Sequence, residues 1–267
     1  MGYGSIKSAV MCFPKEEYFS VRDFALHNFS SVVNREKAIE QFKKLKETLL
    51  RLGVEVYQIK ELGGHPNSVF TRDTAVVLKK GFIKLRMGLL SRRGEENWMA
   101  NFLLSLGIPE IAEVKAPLTV EGGDVIVGDN FAFIGVSSRT NREGAQFISL
   151  VFEKLNYQTE IVQFTGPYLH LGGAMSLVGR NSVIYCKNAF SGKVFRKYGL
   201  NTIPIDCNEF IGGNVIGVDE KNVIVSENNN VAAEALAIHG FTVHLLDLDE
   251  FVKGNGGPSC MILPVNY

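Results

Sequence analysis

Four stretches of the chain share one pattern, a pair of glycines placed just before a run of apolar, β-prone residues. They are VEGGDVIVG (120–128), HLGGAMSLVG (170–179), FIGGNVIGV (210–218) and NGGPSCMILPV (255–265). The second glycines, Gly123, Gly173, Gly213 and Gly257, lie 50, 40 and 44 residues apart. FTRDTAVVL (70–78) falls one such interval earlier and lacks the glycines. A spacing of this size is the mark of a repeated supersecondary unit, so five units are expected.

Within a unit the order recurs: an apolar strand, a polar turn such as GDN or DEKN, a second strand such as FAFIGV or VIVSEN, an amphipathic helix and a last strand. The spacing predicts a helix from Asn141 that buries Ala145, Ile148, Val151, Phe152 and Leu155. Another, capped by Asn34 and stopped by Gly53, turns Phe42, Leu45, Leu49 and Leu52 inward, and Gly107 and Gly240 end two more. The last piece, GGPSCMILPV, has no helix of its own. The strand SAVMCF (8–13) and the helix after Asn34 are expected to complete its unit and close a ring. With no Pro- or Ser-rich linker between units, residues 1–267 are predicted to form one α/β domain, a pseudosymmetric five-bladed α/β propeller of ββαβ repeats.

Composition narrows the function. A chain of 267 residues with 46% hydrophobic content has ample material for a core. Its 28 basic and 28 acidic residues balance, which gives no global footprint for nucleic acid or an anionic membrane and leaves a small molecule as the expected partner. Cys12, Cys186, Cys207 and Cys260 form no CxxC pair and no His pair has ligand spacing, so reduced thiols are expected, with neither a disulfide framework nor a metal. The N-terminal MGYGSIKSAVMCF has no signal-peptide core, and no run approaches the roughly 18 apolar residues of a membrane helix. A soluble cytoplasmic protein is the expectation.

If the units are radial, the residues beside the glycine pairs meet at the axis: Asp73, Glu121, His170 and Cys260, expected at equivalent positions of successive repeats. Alone, Cys260 reads as a buried small hydrophobe and His170 as a hydrogen-bonding residue. Together they supply a thiol nucleophile and a group that both takes and gives a proton near neutrality. Two carboxylates beside a thiolate raise its pKa, and they make sense when the substrate is a cation that compensates them. A planar guanidinium fits, because its fork of N–H donors pairs with carboxylates. On local grounds alone, Asp73 could instead pair with adjacent Arg72.

PNSVFTRDTAVV, SRRGEE, VEGGD, GVSSRTNREGA, HLGG and GGPSCM, spread from Pro66 to Met261, together resemble the guanidine-modifying enzymes of the pentein fold. The resemblance is closest to the short dimethylarginine dimethylaminohydrolases and the arginine deiminases. It implies Cys260 as nucleophile, His170 as general acid and base, and Glu121 and Asp73 as carboxylates holding the guanidinium. It further implies that Arg92 and Arg139 grip the substrate α-carboxylate and that Phe70 lies over the alkyl chain. No cofactor is implied, and a homo-oligomer is left open. The implied reaction is hydrolysis of arginine or an N-methylated arginine to citrulline through a covalent cysteine intermediate.

Two positions depart from the pattern. Deiminases carry an aspartate two residues after the histidine, where this chain has Gly172, a gap that suits a methylated nitrogen. The dimethylarginine enzymes carry acids where this chain has Arg72 and Asn67. Asn67 keeps open an arginine dihydrolase that yields ornithine. Amidino transfer to an amine and a non-catalytic ribosome-binding pentein are the remaining alternatives. Water access would depend on lid loops such as the one from Glu16 to Asn34.

Overall fold

The computed structural model describes residues 6–207 and 211–266. Strand β1 (Ser8–Phe13), almost wholly buried, leads through a segment of single helical turns to helix α1 (Arg35–Arg51). The Asn34 side chain accepts the Lys37 N–H at 2.9 Å, an N-cap worth about 1 kcal/mol. The buried stripe Ala38, Phe42, Leu45 and Leu49 follows the helical period and packs in one core with Met11 and Cys12 of β1. Past the helix, Gly53 takes φ +82°, and the chain turns into β2 (Glu55–Lys60), parallel to β1.

Four further blades follow, three of them on the same plan. The next holds β3 (Ala75–Leu78), β4 (Gly81–Lys84), α2 (Glu95–Ser105) and β5 (Glu110–Glu113). After it come β6 (Val125–Val127), β7 (Phe131–Val136), α3 (Arg142–Lys154) and β8 (Gln158–Gln163). The fourth blade has β9 (Met175–Val178), β10 (Ser182–Cys186) and β11 (Asn201–Ile205). Where an α-helix was expected it carries a 3-10 helix, Gly192–Tyr198. That stretch, GKVFRKY, buries Phe195 alone, so it lacks the apolar stripe that stabilises an α-helix. The fifth blade contains β12 (Ile216–Gly217), β13 (Asn222–Ser226), α4 (Asn230–Ile238) and β14 (Thr242–Leu246).

Finally β15 (Leu263–Asn266) runs antiparallel to β1, so the two chain ends share one blade and the ring closes as expected. Each of the five three-stranded sheets joins one antiparallel and one parallel pair. The helices predicted after Asn34 and Asn141, and those ended by Gly107 and Gly240, are all present. Among the described residues no helix is long and apolar enough to cross a membrane.

The turns that precede the inner strands touch one another around the ring. Hydrogen bonds join each to the next. Gly123 N–H donates to Asp73 Oδ1 at 3.0 Å and Leu171 N–H to Asp124 Oδ1 at 2.8 Å. Gly213 N–H donates to the Gly173 carbonyl at 2.8 Å and Ser259 N–H to Asn214 Oδ1 at 3.0 Å. The Thr71 hydroxyl, 3.2 Å from the Met261 carbonyl, completes the circuit. The glycine pairs exist for this approach. A Cβ on Gly123 would stand 2.7 Å from the His170 ring, and one on Gly257 would stand 2.6 Å from Asn214. Phe210, at the start of the third echo, lies outside the described residues.

One expectation is overturned here. Cys186 and Cys207 form a disulfide, with Cα atoms 5.4 Å apart. No short motif announces the pair, because parallel register makes it: Cys186 ends β10 opposite Ile205, two residues before Cys207. Cys12 and Cys260 are free. A reductant, or Cys207→Ser, should lower the unfolding free energy by about 2–4 kcal/mol in denaturant titrations, and equal midpoints with and without reductant would show that the bridge adds nothing.

Candidate active site

Cys260 arrives on the 3-10 turn Pro258–Met261, directly behind Gly256 and Gly257. Its backbone N–H donates to the Gly257 carbonyl at 3.1 Å, and Asn214 Nδ2 points at the sulfur from 3.4 Å. Burial, reinforced by the nearby charge of Asp73, pushes the thiol up to about 11. His170, buried, precedes the turn Leu171–Ala174 and bonds through Nε2 to Glu121 Oε2 at 2.8 Å. Burial pulls the imidazole down, but Asp73, Glu121 and Asp124 outweigh it and hold His170 up at about 9. Glu121 is fully buried, and its other oxygen accepts the N–H groups of Gly88 (2.9 Å) and Leu89 (3.1 Å). Burial opposes its charge, yet His170, Arg92 and Arg139 hold it well below the usual carboxylate range. At neutral pH the ligand-free site therefore pairs a neutral thiol with an imidazolium.

All the sequence-predicted residues surround this point. A cleft of about 290 Å³, its open mouth included, is lined by Asn67, Phe70, Asp73, Arg92, Arg139, His170 and Cys260, and by Asn28 from the segment expected to form a lid. That segment is pinned over the mouth: Asn255 Nδ2 donates to the Asn28 carbonyl and Ser91 Oγ to that of Leu26. Glu121 lies behind His170. Phe70 packs against Gly254, Gly256 and Tyr18, and Asn67 contributes a buried Oδ1 without a partner.

The electrostatics differ from the expectation in one respect. Asp73 and Glu121 do not wait for an external cation, because the chain provides its own. Arg92, only 4% exposed in its side chain, bonds Asp73 Oδ2 through Nη1 at 2.6 Å and grips Glu95 Oε2 through Nε (3.0 Å) and Nη2 (2.8 Å). Its Nη1 also lies 3.8 Å from Glu121, and Arg139 Nη1 lies 3.7 Å from the same carboxylate. Arg92 is thus already committed to the chain's own acids, and Asp73 pairs with it and not with Arg72, whose Nη2 donates to the Val125 carbonyl. Two buried acids beside the thiol do not by themselves demand a cationic ligand.

Nor are the four central residues at equivalent repeat positions. Glu121 and His170 stand ahead of their glycine pairs, Cys260 behind its pair, and Asp73 matches Asp124 and Asn214, the residues that bond to the next turn. Sequence reasoning missed Asn214, Asp124 and Glu95. The signal for the first two was present, an amide or acid directly after Gly-Gly in FIGGN and VEGGD. Glu95 is the helix-start acid of SRRGEE. One oxygen each of Asp73 and Glu121 and one nitrogen of His170 lie within 4.8 Å of one another, a spacing that could hold a metal ion.

Comparison with known proteins finds relatives over most of the chain. The family described as N,N dimethylarginine dimethylhydrolase, eukaryotic, matches residues 21–267. The N(G),N(G)-dimethylarginine dimethylaminohydrolase of Pseudomonas aeruginosa is 31% identical over 228 residues, covering 85% of this chain and 88% of that protein. An uncharacterized protein of Aeropyrum pernix is 34% identical over 233 residues, 86% of this chain and 84% of its own. A mutant of the Pseudomonas aeruginosa enzyme complexed with citrulline superimposes with a TM-score of 0.83 at 26% identity, over 97% of this chain and 99% of that one.

Removing the cation between Asp73 and Glu95 with Arg92→Ala should cost about 3–5 kcal/mol in urea unfolding, because it strands buried carboxylates; a loss near zero would show the network to be dispensable. The sign for His170 is opposite to that of an acid with a lowered pKa. Its folded pKa is raised, so its stabilisation is complete below about pH 6.5 and is lost as pH rises through about 9. Unfolding free energy should therefore fall more steeply across that window in the native chain than in His170→Asn, and parallel profiles would rule this out.

Proposed function

Because the chain belongs to the dimethylarginine dimethylaminohydrolase family, and is a hydrolase acting on C–N bonds of linear amidines, we propose that it converts N-methylated arginine to citrulline and a methylamine. The observation that carries this reading is one cavity walled by Cys260, the Glu121-bonded His170 and Asp73, whose Oδ1 lies 3.9 Å from His170 Nδ1. The whole chain, 1–267, acts as one catalytic domain.

The substrate guanidinium enters beside Asp73, whose carboxylate keeps lone pairs free after its bonds to Arg92 and Gly123. Its positive charge lowers the cost of ionising the Cys260 thiol, which burial otherwise keeps protonated, and the thiol proton passes to solvent because His170 already carries one. The thiolate attacks the guanidinium carbon. The C–N bond to the methylated nitrogen breaks, and that nitrogen leaves as an amine with the His170 proton. Now neutral, His170 takes a proton from water, and the resulting hydroxide attacks the same carbon. Cleavage of the S–C bond frees citrulline and returns the thiol.

Glu121 holds the imidazole ring in place and stabilises its charged form. Asn214 aims the sulfur. Arg139, on the cavity wall, takes the α-carboxylate, while Arg92 pairs with Asp73 and spares at most part of its fork for the ligand. Phe70 and Asn67 line the cavity, the latter with a free acceptor for a substrate N–H.

Cys260→Ala should lower kcat for citrulline release from dimethylarginine or monomethylarginine by more than about 10³-fold while the variant still melts cooperatively. Near-normal amine release from that variant would refute the assignment. In the same panel, ornithine formed from arginine without free citrulline would replace this reading with a dihydrolase.

A further inference from the structure

The proposed chemistry fills only the smaller of two cavities that share Cys260 and His170 as a wall. The larger, about 900 Å³ including its open mouth, lies beyond that pair and follows the axis of the ring. Its sides come from the inner strands of successive blades, Ile126 of β6, Leu177 of β9 and Ile216 of β12, with Ile262 just ahead of β15. Gly172 and Gly173 form the wall next to His170, so no side chain of theirs screens the imidazole from this space. Apart from His170 and Cys260, Arg72 is the one ionisable side chain among the described lining residues, and no carboxylate faces the chamber.

We propose that this axial chamber is the subsite for the substituent on the departing guanidine nitrogen, and that the enzyme accepts N-alkyl groups longer than methyl. The inference rests on the roles given above to Cys260 and His170. As the S–C bond forms and the C–N bond breaks, the electron pair of that bond stays on the departing nitrogen, which takes the proton of His170. That nitrogen must therefore lie at the imidazole. The amino-acid body occupies the Arg139 side, so a substituent on this nitrogen extends past the imidazole into the apolar chamber. Each methylene buried there favours binding by roughly fourfold. An unsubstituted nitrogen instead turns its N–H donors toward a space without a carboxylate. The order of preference is N-propyl, then N-methyl, then unmodified arginine, and the larger amine leaves through the open mouth.

The test compares kcat/KM for Nω-propyl-, Nω-methyl- and unmodified L-arginine in the native enzyme and in Leu177→Phe, Ile216→Phe and Leu177→Ala, with thermal melts to establish folding. In the native enzyme the N-propyl substrate is expected to match or exceed the N-methyl one. Each phenylalanine variant should lower the propyl-to-methyl ratio by about tenfold or more, and Leu177→Ala should raise it. Turnover of the N-methyl but not the N-propyl substrate, or one ratio in every folded variant, would overturn the chamber's role and leave the proposed function standing. If no guanidine in the panel yields product in the native enzyme, the underlying reading fails and the inference with it.

Discussion

The hydrogen-bonded circuit between the turns ahead of the five inner strands is the constraint on which the site depends. Each turn offers an N–H or a hydroxyl to the turn beside it, and the acceptors are Asp73, Asp124 and Asn214 side chains in three cases and carbonyls in two. Buried backbone donors must find partners, and for the N–H groups of Gly123, Leu171, Gly213 and Ser259 the partner belongs to the neighbouring blade. The blades cannot rotate independently without breaking these bonds. The same contacts set the distances between Cys260, His170, Glu121 and Asp73, which come from four different turns.

This circuit explains why Asp73 and Asn214 carry two tasks. Asp73 bonds to Gly123 and also faces the cavity, while Asn214 holds the Ser259 N–H and points its amide at the Cys260 sulfur. A side chain held by the scaffold's own staples needs no separate support. It also explains the glycines. Gly123 and Gly257 mark the places where one turn comes so near the next that a methyl group would collide with His170 or Asn214.

Charge is balanced before any ligand enters. Arg92 sits between Asp73 and Glu95, with Glu121 close by, and His170 is an imidazolium bonded to Glu121 at neutral pH. A buried cation among several buried acids is costly to break apart, so the network holds its shape. The thiol stays protonated in that environment, and in the reaction proposed above a cationic substrate lets it ionise. In the reaction proposed above, a guanidinium would meet acids already paired with Arg92 and His170, so its affinity would rest on hydrogen-bond geometry as well as on attraction.

The period of the glycine pairs and the caps at Asn34 and Asn141 determined the ring and its helices, because local hydrogen bonding and apolar spacing act within a few residues of chain. The closure of the ring by SAVMCF and the C-terminal strand followed from the missing helix of the last unit. What the tertiary structure alone decided are contacts between blades. The commitment of Arg92 to Glu95 and Asp73 and the Cys186–Cys207 bridge join residues whose separation along the chain carries no periodic signal. Their positions are fixed by parallel register and by the close packing of neighbouring turns, neither of which a single strand or helix specifies.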